Sequence, residues 1–123
     1  MITYQAYTVL HVVGVLFVFF GFGASLMQLK VDEAAQKTLR RWTGILHGAG
    51  LLLLLVAGFG LLARMGIHWP WPAWVWGKVV IWLALGGVIA LYKRGVGAEA
   101  ARIALVLALG TLAVWLAVYK PGH

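Results

Sequence analysis

Two side chains of this sequence stand where ionisable groups are expensive. His11 falls in a run without Asp, Glu, Lys or Arg from residue 5 to residue 29, and Lys78 heads the apolar run 79–91. An imidazole in such a place can ligate a metal ion, and a lysine can pair with an anion or, once neutral, act as a ligand itself. Intramembrane ionisable groups are functional positions by default. His47 is a second embedded imidazole, six residues after Arg41. Tyr7 precedes His11 by one helical turn, and Gly58 and Gly60 are positions without a side chain where a flat ligand would find room.

The elements that must hold these residues follow from composition. Of 123 residues, 63% are hydrophobic and 11% charged, whereas a soluble domain has roughly 25% charged. The chain therefore reads as an integral membrane protein. A spanning helix takes about 20 apolar residues, so four spans fit, over about 5–28, 42–63, 72–92 and 101–119, in a single transmembrane domain covering 1–123. Backbone polar groups in lipid must be satisfied within the segment, which makes the expected fold all-α, a four-helix up-down-up-down bundle with short connectors.

Residues 30–41 form a polar connector whose composition allows some helix. Gly66, Pro70 and Pro72 break the chain between the second and third spans, and Pro72 suits the first turn of a helix. Trp69, Trp71, Trp74 and Trp76 read as an interfacial belt at the head of the third span. Met1-Ile2-Thr3-Tyr4 lacks a basic n-region, so the first helix is expected to be retained.

Cysteine is absent, which removes disulfides, thiol relays and thiolate-held clusters. The net charge of +7 reads as topology rather than nucleic-acid binding; the expected partners are the bilayer and a membrane complex or second copy. Lys30, Lys37, Arg40, Arg41, Lys93, Arg94 and Arg102 flank the first and third connectors, against Arg64 and Lys120 opposite. The positive-inside rule then puts both termini on the non-cytoplasmic side, in a membrane taken to be a bacterial inner membrane.

Depth follows from counting at about 1.5 Å per residue. His11 and Lys78 each lie six positions into helices that start on the outer side, roughly 9 Å inside that boundary. His47 enters from the other side and should lie about 12 Å lower in a core about 30 Å thick. A haem held by two histidines needs both at one level, which His11 and His47 of one chain do not offer. His11 and Lys78 do share a level.

Each position also has a plainer reading. Glycines let membrane helices approach closely without any ligand, and embedded histidines hydrogen-bond across helices. Lys78 can snorkel back to the tryptophan level. His68 and His123 read as loop and tail, and the tryptophans as anchors.

A histidine early in the first span, Arg40-Arg41-Trp42 entering the second, Gly58 late in it and Trp74-x-x-x-Lys78 opening the third resemble the four-helix membrane family around HemJ, CopD and SirB. The resemblance touches three of the four spans. It departs at His47-Gly48-Ala49-Gly50, where HemJ-like chains usually carry a proline, and at the end of the third span, where they have further polar residues. The resemblance implies haem or porphyrin served by a histidine and a lysine, here His11 and Lys78. Copper handling, linked to CopD-like members, fits poorly with one histidine per leaflet and scattered Met1, Met27 and Met65.

The leading expectation is a membrane haem b- or porphyrin-binding redox protein active in electron transfer. His11 would be the axial metal ligand, Lys78 a second ligand or propionate partner, Tyr7 a lining residue, and Gly58 and Gly60 the source of space. The alternative is a non-enzymatic structural or assembly subunit, or a homo-oligomer packed through glycine faces. No catalytic residue is assigned. Paired-carboxylate and Ser/His/Asp mechanisms are disfavoured because Asp32, Glu33 and Glu99 all lie outside the expected spans, and a carboxylate-driven transporter is disfavoured for the same reason.

Overall fold

A computed structural model describes residues 3–95 and 97–120. Met1 and His123, considered above as a sulfur ligand and a tail residue, fall outside them. The described residues form four α-helices and no strand: α1 (Tyr4–Met27), α2 (Glu33–Arg64), α3 (Ala73–Lys93) and α4 (Glu99–Tyr119), with a 3-10 turn at Gln28–Lys30 after α1. The fold is all-α, as expected, and all four helices are long and apolar enough to cross a membrane. The chain divides into two compact units, Met1–Trp69 and Pro70–His123. Each unit is a helical hairpin.

The largest departure from the expected elements is the start of α2. Instead of beginning near Trp42, it absorbs most of the polar connector and starts at Glu33. The cause is local. Asp32 caps the helix, its Oδ1 accepting from Ala35 N at 2.9 Å, Glu33 favours the positive end of the helix dipole, and residues 33–41 contain neither glycine nor proline. Thirty-two residues give a helix of about 48 Å, well beyond a hydrocarbon core of about 30 Å. The surplus is the charged stretch carrying Lys37, Arg40 and Arg41.

In the first hairpin, α1 repeats every seven residues on two interleaved rows, Tyr4, His11, Val18 and Ser25 beside Tyr7, Gly14, Gly21 and Gln28. Alternating steps of three and four are the pattern of antiparallel or parallel helices that keep one seam in contact. Gly14, Val18, Gly21, Ser25 and Gln28 are buried on this seam, as are Thr43, His47, Gly50 and Ala57 on α2.

Glycine sets how close the helices come. A Cβ added at Gly50 would stand 2.7 Å from the Val18 amide nitrogen and 2.8 Å from the Gly14 carbonyl oxygen. At Gly14 it would meet Leu54 N and Leu53 Cβ at 3.1 Å. Most of these obstacles are backbone, which cannot rotate aside.

In the second hairpin the α3 stripe Trp74, Ile81, Leu85, Ile89 and Tyr92 is buried, with Val106 and Leu116 buried on α4. Gly77 receives the Leu116 side chain, 2.9 Å from where its Cβ would be. The turn joining α3 and α4 uses Gly95 (φ 86°) and Gly97 (φ 92°), backbone conformations that favour glycine.

Gly50→Ala should therefore destabilise the first hairpin by about 1–3 kcal/mol through overpacking. Gly48→Ala, with nothing within 4 Å of its added Cβ, should be neutral or gain a few tenths of a kcal/mol from helix propensity. Parallel thermal melts of the two variants in detergent check this contrast.

Candidate functional site

The seam of the first hairpin brings together four of the expected site residues. The imidazole of His11 faces Gly58, its Cε1 standing 3.9 Å from where a Gly58 Cβ would be, and no other atom comes within 4 Å of that point. One turn toward the start of α1, the Tyr7 ring occupies the space left by Gly60. Gly60 was expected to leave room for a flat ligand; here that room is taken by Tyr7, because the register of α1 on α2 puts the phenol ring directly over the glycine. At Gly58 an added Cβ would meet His11 at ordinary van der Waals distance. His11 and Tyr7 are half-buried.

His47 occupies a different setting. It is 2% exposed, its Nδ1 lies 3.5 Å from the Val18 carbonyl oxygen, and Phe22 meets its ring edge-on at 4.9 Å between centroids. Its Cβ would be 2.9 Å from a Cβ at Gly21, so the glycine on α1 is what admits it. As an Nδ1–H tautomer it donates toward Val18, a contact at the long limit for a hydrogen bond. His47 is thus a packed core histidine in contact across the helices.

It belongs to a polar layer that extends to the connector. Gln28 Nε2 donates to Thr43 Oγ1 at 3.1 Å, and Ser25 Oγ donates to the Phe22 carbonyl at 2.7 Å. All of these groups are buried. Gln28 and Gly21 are not among the expected site residues, although residues 7, 14, 21 and 28 form an unbroken seven-residue series that signals them.

The contacts also fix the levels of the two histidines. His11 opposes Gly58, and His47 lies eleven residues earlier on α2, which is about 16 Å along the axis. The expected separation of about 12 Å was of the right sense and somewhat small. One iron cannot be held by both imidazoles of this hairpin, since metal–imidazole bonds are near 2 Å.

In the second hairpin Lys78 is half-buried and extends the buried stripe of α3, one turn after Trp74 and one before Ile81. Lys120 follows the last turn of α4. Lys120 Nζ donates to the Ala117 carbonyl at 2.7 Å and lies 5.6 Å over the Trp74 ring. His11 and Lys78 belong to different hairpins.

At the opposite end of this hairpin sits a residue whose role charge counting missed. Arg102, taken as a topology signal, is 1% exposed. Its Nε donates to the Gly97 carbonyl at 2.9 Å and its guanidinium lies 4.7 Å over the Tyr92 ring. A planar cation stacks on an aromatic face while directing its donors sideways, so Arg102 ties α4 to the turn and to α3. No three His, Asp or Glu side chains cluster as a metal site among the described residues. Asp32 caps α2, and Glu33 and Glu99 occupy first helical turns, leaving no carboxylate in the middle of a span.

No family model, curated protein or solved structure matches the chain.

His47→Ala should lower stability by about 2–4 kcal/mol, because it removes a buried ring and opens a cavity beside Gly21 and Phe22. His11→Ala should cost under about half as much, since its ring is only half-buried. Unfolding of both variants under the same detergent conditions distinguishes the fully buried histidine from the half-buried one.

Proposed function

We propose that the protein is a membrane haem- or porphyrin-binding redox protein whose axial ligand is His11. The observation that supports this reading is the His11–Gly58 juxtaposition: a half-buried imidazole within an apolar helix, facing a glycine of α2 with its Cε1 3.9 Å from where a Cβ would be. An imidazole donor so placed suits a metal-holding macrocycle. Tyr7, seated on Gly60, lies one turn away. Lys78 is named for a second-ligand or propionate role by the resemblance to HemJ-like chains alone.

Bound haem would supply one-electron chemistry at its iron, tuned by the axial imidazole and by burial. The chain's own contribution is orientation and exclusion of water. His47 is assigned no ligand role, because its ring is enclosed by Phe22 and the glycine seam. The resemblance to HemJ-like chains supports the same choice of His11 and Lys78. Both termini are assigned to the non-cytoplasmic side of a bacterial inner membrane, on the strength of the basic residues around the first and third connectors.

A second reading has its own support. Gly23, Gly48 and Gly87 are helical glycines with nothing within 4 Å of an added Cβ, and small residues on open helix faces favour helix–helix association in lipid. On that reading the protein is a non-enzymatic subunit of a membrane complex or a homo-oligomer. Masses of the detergent-solubilised complex should then exceed the monomer and return to it when Gly48 is replaced by Leu.

The haem reading is tested by adding haem to the purified protein and recording the Soret band. The expected outcome is a band lost at least tenfold in His11→Ala and retained in His47→Ala. A Soret band that follows His47 instead, or none at all, overturns it. Fusion of a reporter to the C-terminus tests the orientation: it should be accessible only from the non-cytoplasmic side.

A further inference from the structure

The charged start of α2 is a rigid part of the first hairpin. Asp32 caps it through Ala35 N at 2.9 Å, and the helix then runs unbroken from Glu33 to Arg64, so the level of each side chain before Trp42 is fixed by the seam that follows. That seam ends in a buried bond, Gln28 Nε2 donating to Thr43 Oγ1 at 3.1 Å. Residues three and four apart are neighbours on a helix surface, so Lys37, Arg40 and Arg41 share one side of α2, and all three are exposed. The acids of the stretch are Asp32 and Glu33. Asp32 is engaged in the cap, and Glu33 alone cannot offset three cations.

Counting along α2 sets the depth of these cations. Residues 42–63 contain no Asp, Glu, Lys or Arg and rise about 33 Å, close to a hydrocarbon core of about 30 Å. Arg40 and Arg41 then stand at the hydrocarbon edge. Lys37 stands about 6 Å beyond Arg41, within a headgroup layer about 5–7 Å deep. Trp42, 52% exposed, marks the same boundary, where an amphipathic ring is favoured. An irregular connector could carry its charges off into water, but a capped helix holds them at the level of the phosphates. Toward the membrane the same side of α2 continues through Gly48, where an added Cβ would meet nothing within 4 Å, and the exposed Leu52, an apolar course for an acyl chain.

We propose that Lys37, Arg40 and Arg41 form a docking surface for the headgroup of an anionic phospholipid. Charge complementarity and depth select this occupant. Arginine offers a fork of donors that matches phosphate oxygens, and lysine a compact charge on a flexible stem. Basic side chains just outside a spanning helix are each drawn to an anionic lipid surface. A second copy packed on this side would bring like charges together, which opposes association. A soluble anion would gain from the cations but not from the apolar course beside Gly48 and Leu52. The site requires α2 to cross the bilayer, serves in either orientation of the chain, and is independent of the haem reading.

Delipidated, haem-free full-length protein in a neutral detergent is given phosphatidylglycerol or phosphatidylcholine, and bound lipid is counted by native mass spectrometry. Phosphatidylglycerol should bind at least about fivefold more tightly than phosphatidylcholine, and Lys37→Gln, Arg40→Gln and Arg41→Gln should each weaken it about threefold to fivefold. All three positions are exposed, so the variants keep the fold. Lys37→Gln combined with Ala35→Lys preserves net charge but moves the cation about 200° round the helix, and should lose as much binding as Lys37→Gln alone. Equal affinity for the two lipids, selectivity unchanged in the triple variant, or parental binding by the charge-relocated variant overturns the proposal. So does displacement of phosphatidylglycerol by millimolar inorganic phosphate, which would make the occupant a soluble anion, or a lipid-free dimer that the triple variant disperses, which would make it a second copy.

Discussion

The close approach of α1 and α2 is the constraint from which the rest of the first hairpin follows. Backbone meets backbone around Gly14 and Gly50, so neither helix can slide or rotate without collision. In lipid the hydrophobic effect does not press helices together, and tight van der Waals contact takes its place. Once Val18 is locked against Gly50, every other pair along the seam has its partner chosen. Gln28 reaches Thr43, Phe22 reaches His47, His11 reaches Gly58 and Tyr7 covers Gly60. Register, and not the identity of any one side chain, determines that one histidine is fully enclosed and the other is half-buried against a glycine.

The second hairpin solves a different problem, which is how to keep arginine and lysine near the ends of apolar helices. Arg102 is enclosed at one end by an aromatic face and a turn carbonyl. Lys120 is held at the other by a carbonyl and an indole.

The four helices were legible because long uncharged runs have no soluble explanation, and the separation of His11 from His47 was legible because helical rise is constant. Three features were not. The early start of α2 depends on Asp32 capping a run of good helix formers that hydropathy treats as a loop. The filling of Gly60 by Tyr7 depends on register across two helices, which spacing within one helix does not supply. Arg102 reads as a loop charge until the positions of Tyr92 and the Gly97 carbonyl are known. The last two misses concern contacts between segments, and the first a local cap that hydropathy does not register.

The absence of native cysteine permits a direct measurement of the register on which the His11 assignment rests. Cβ atoms at positions 14 and 53 would lie 3.1 Å apart, close to the separation in a disulfide, about 3.5–4.5 Å. The double variant Gly14→Cys, Leu53→Cys, oxidised in the membrane, should cross-link nearly completely. Gly14→Cys with Leu46→Cys, two turns away or about 10 Å along α2, should remain reduced. Cross-linking that favours the second pair would shift α2 by two turns, bring His47 toward the level of His11, and contradict the account.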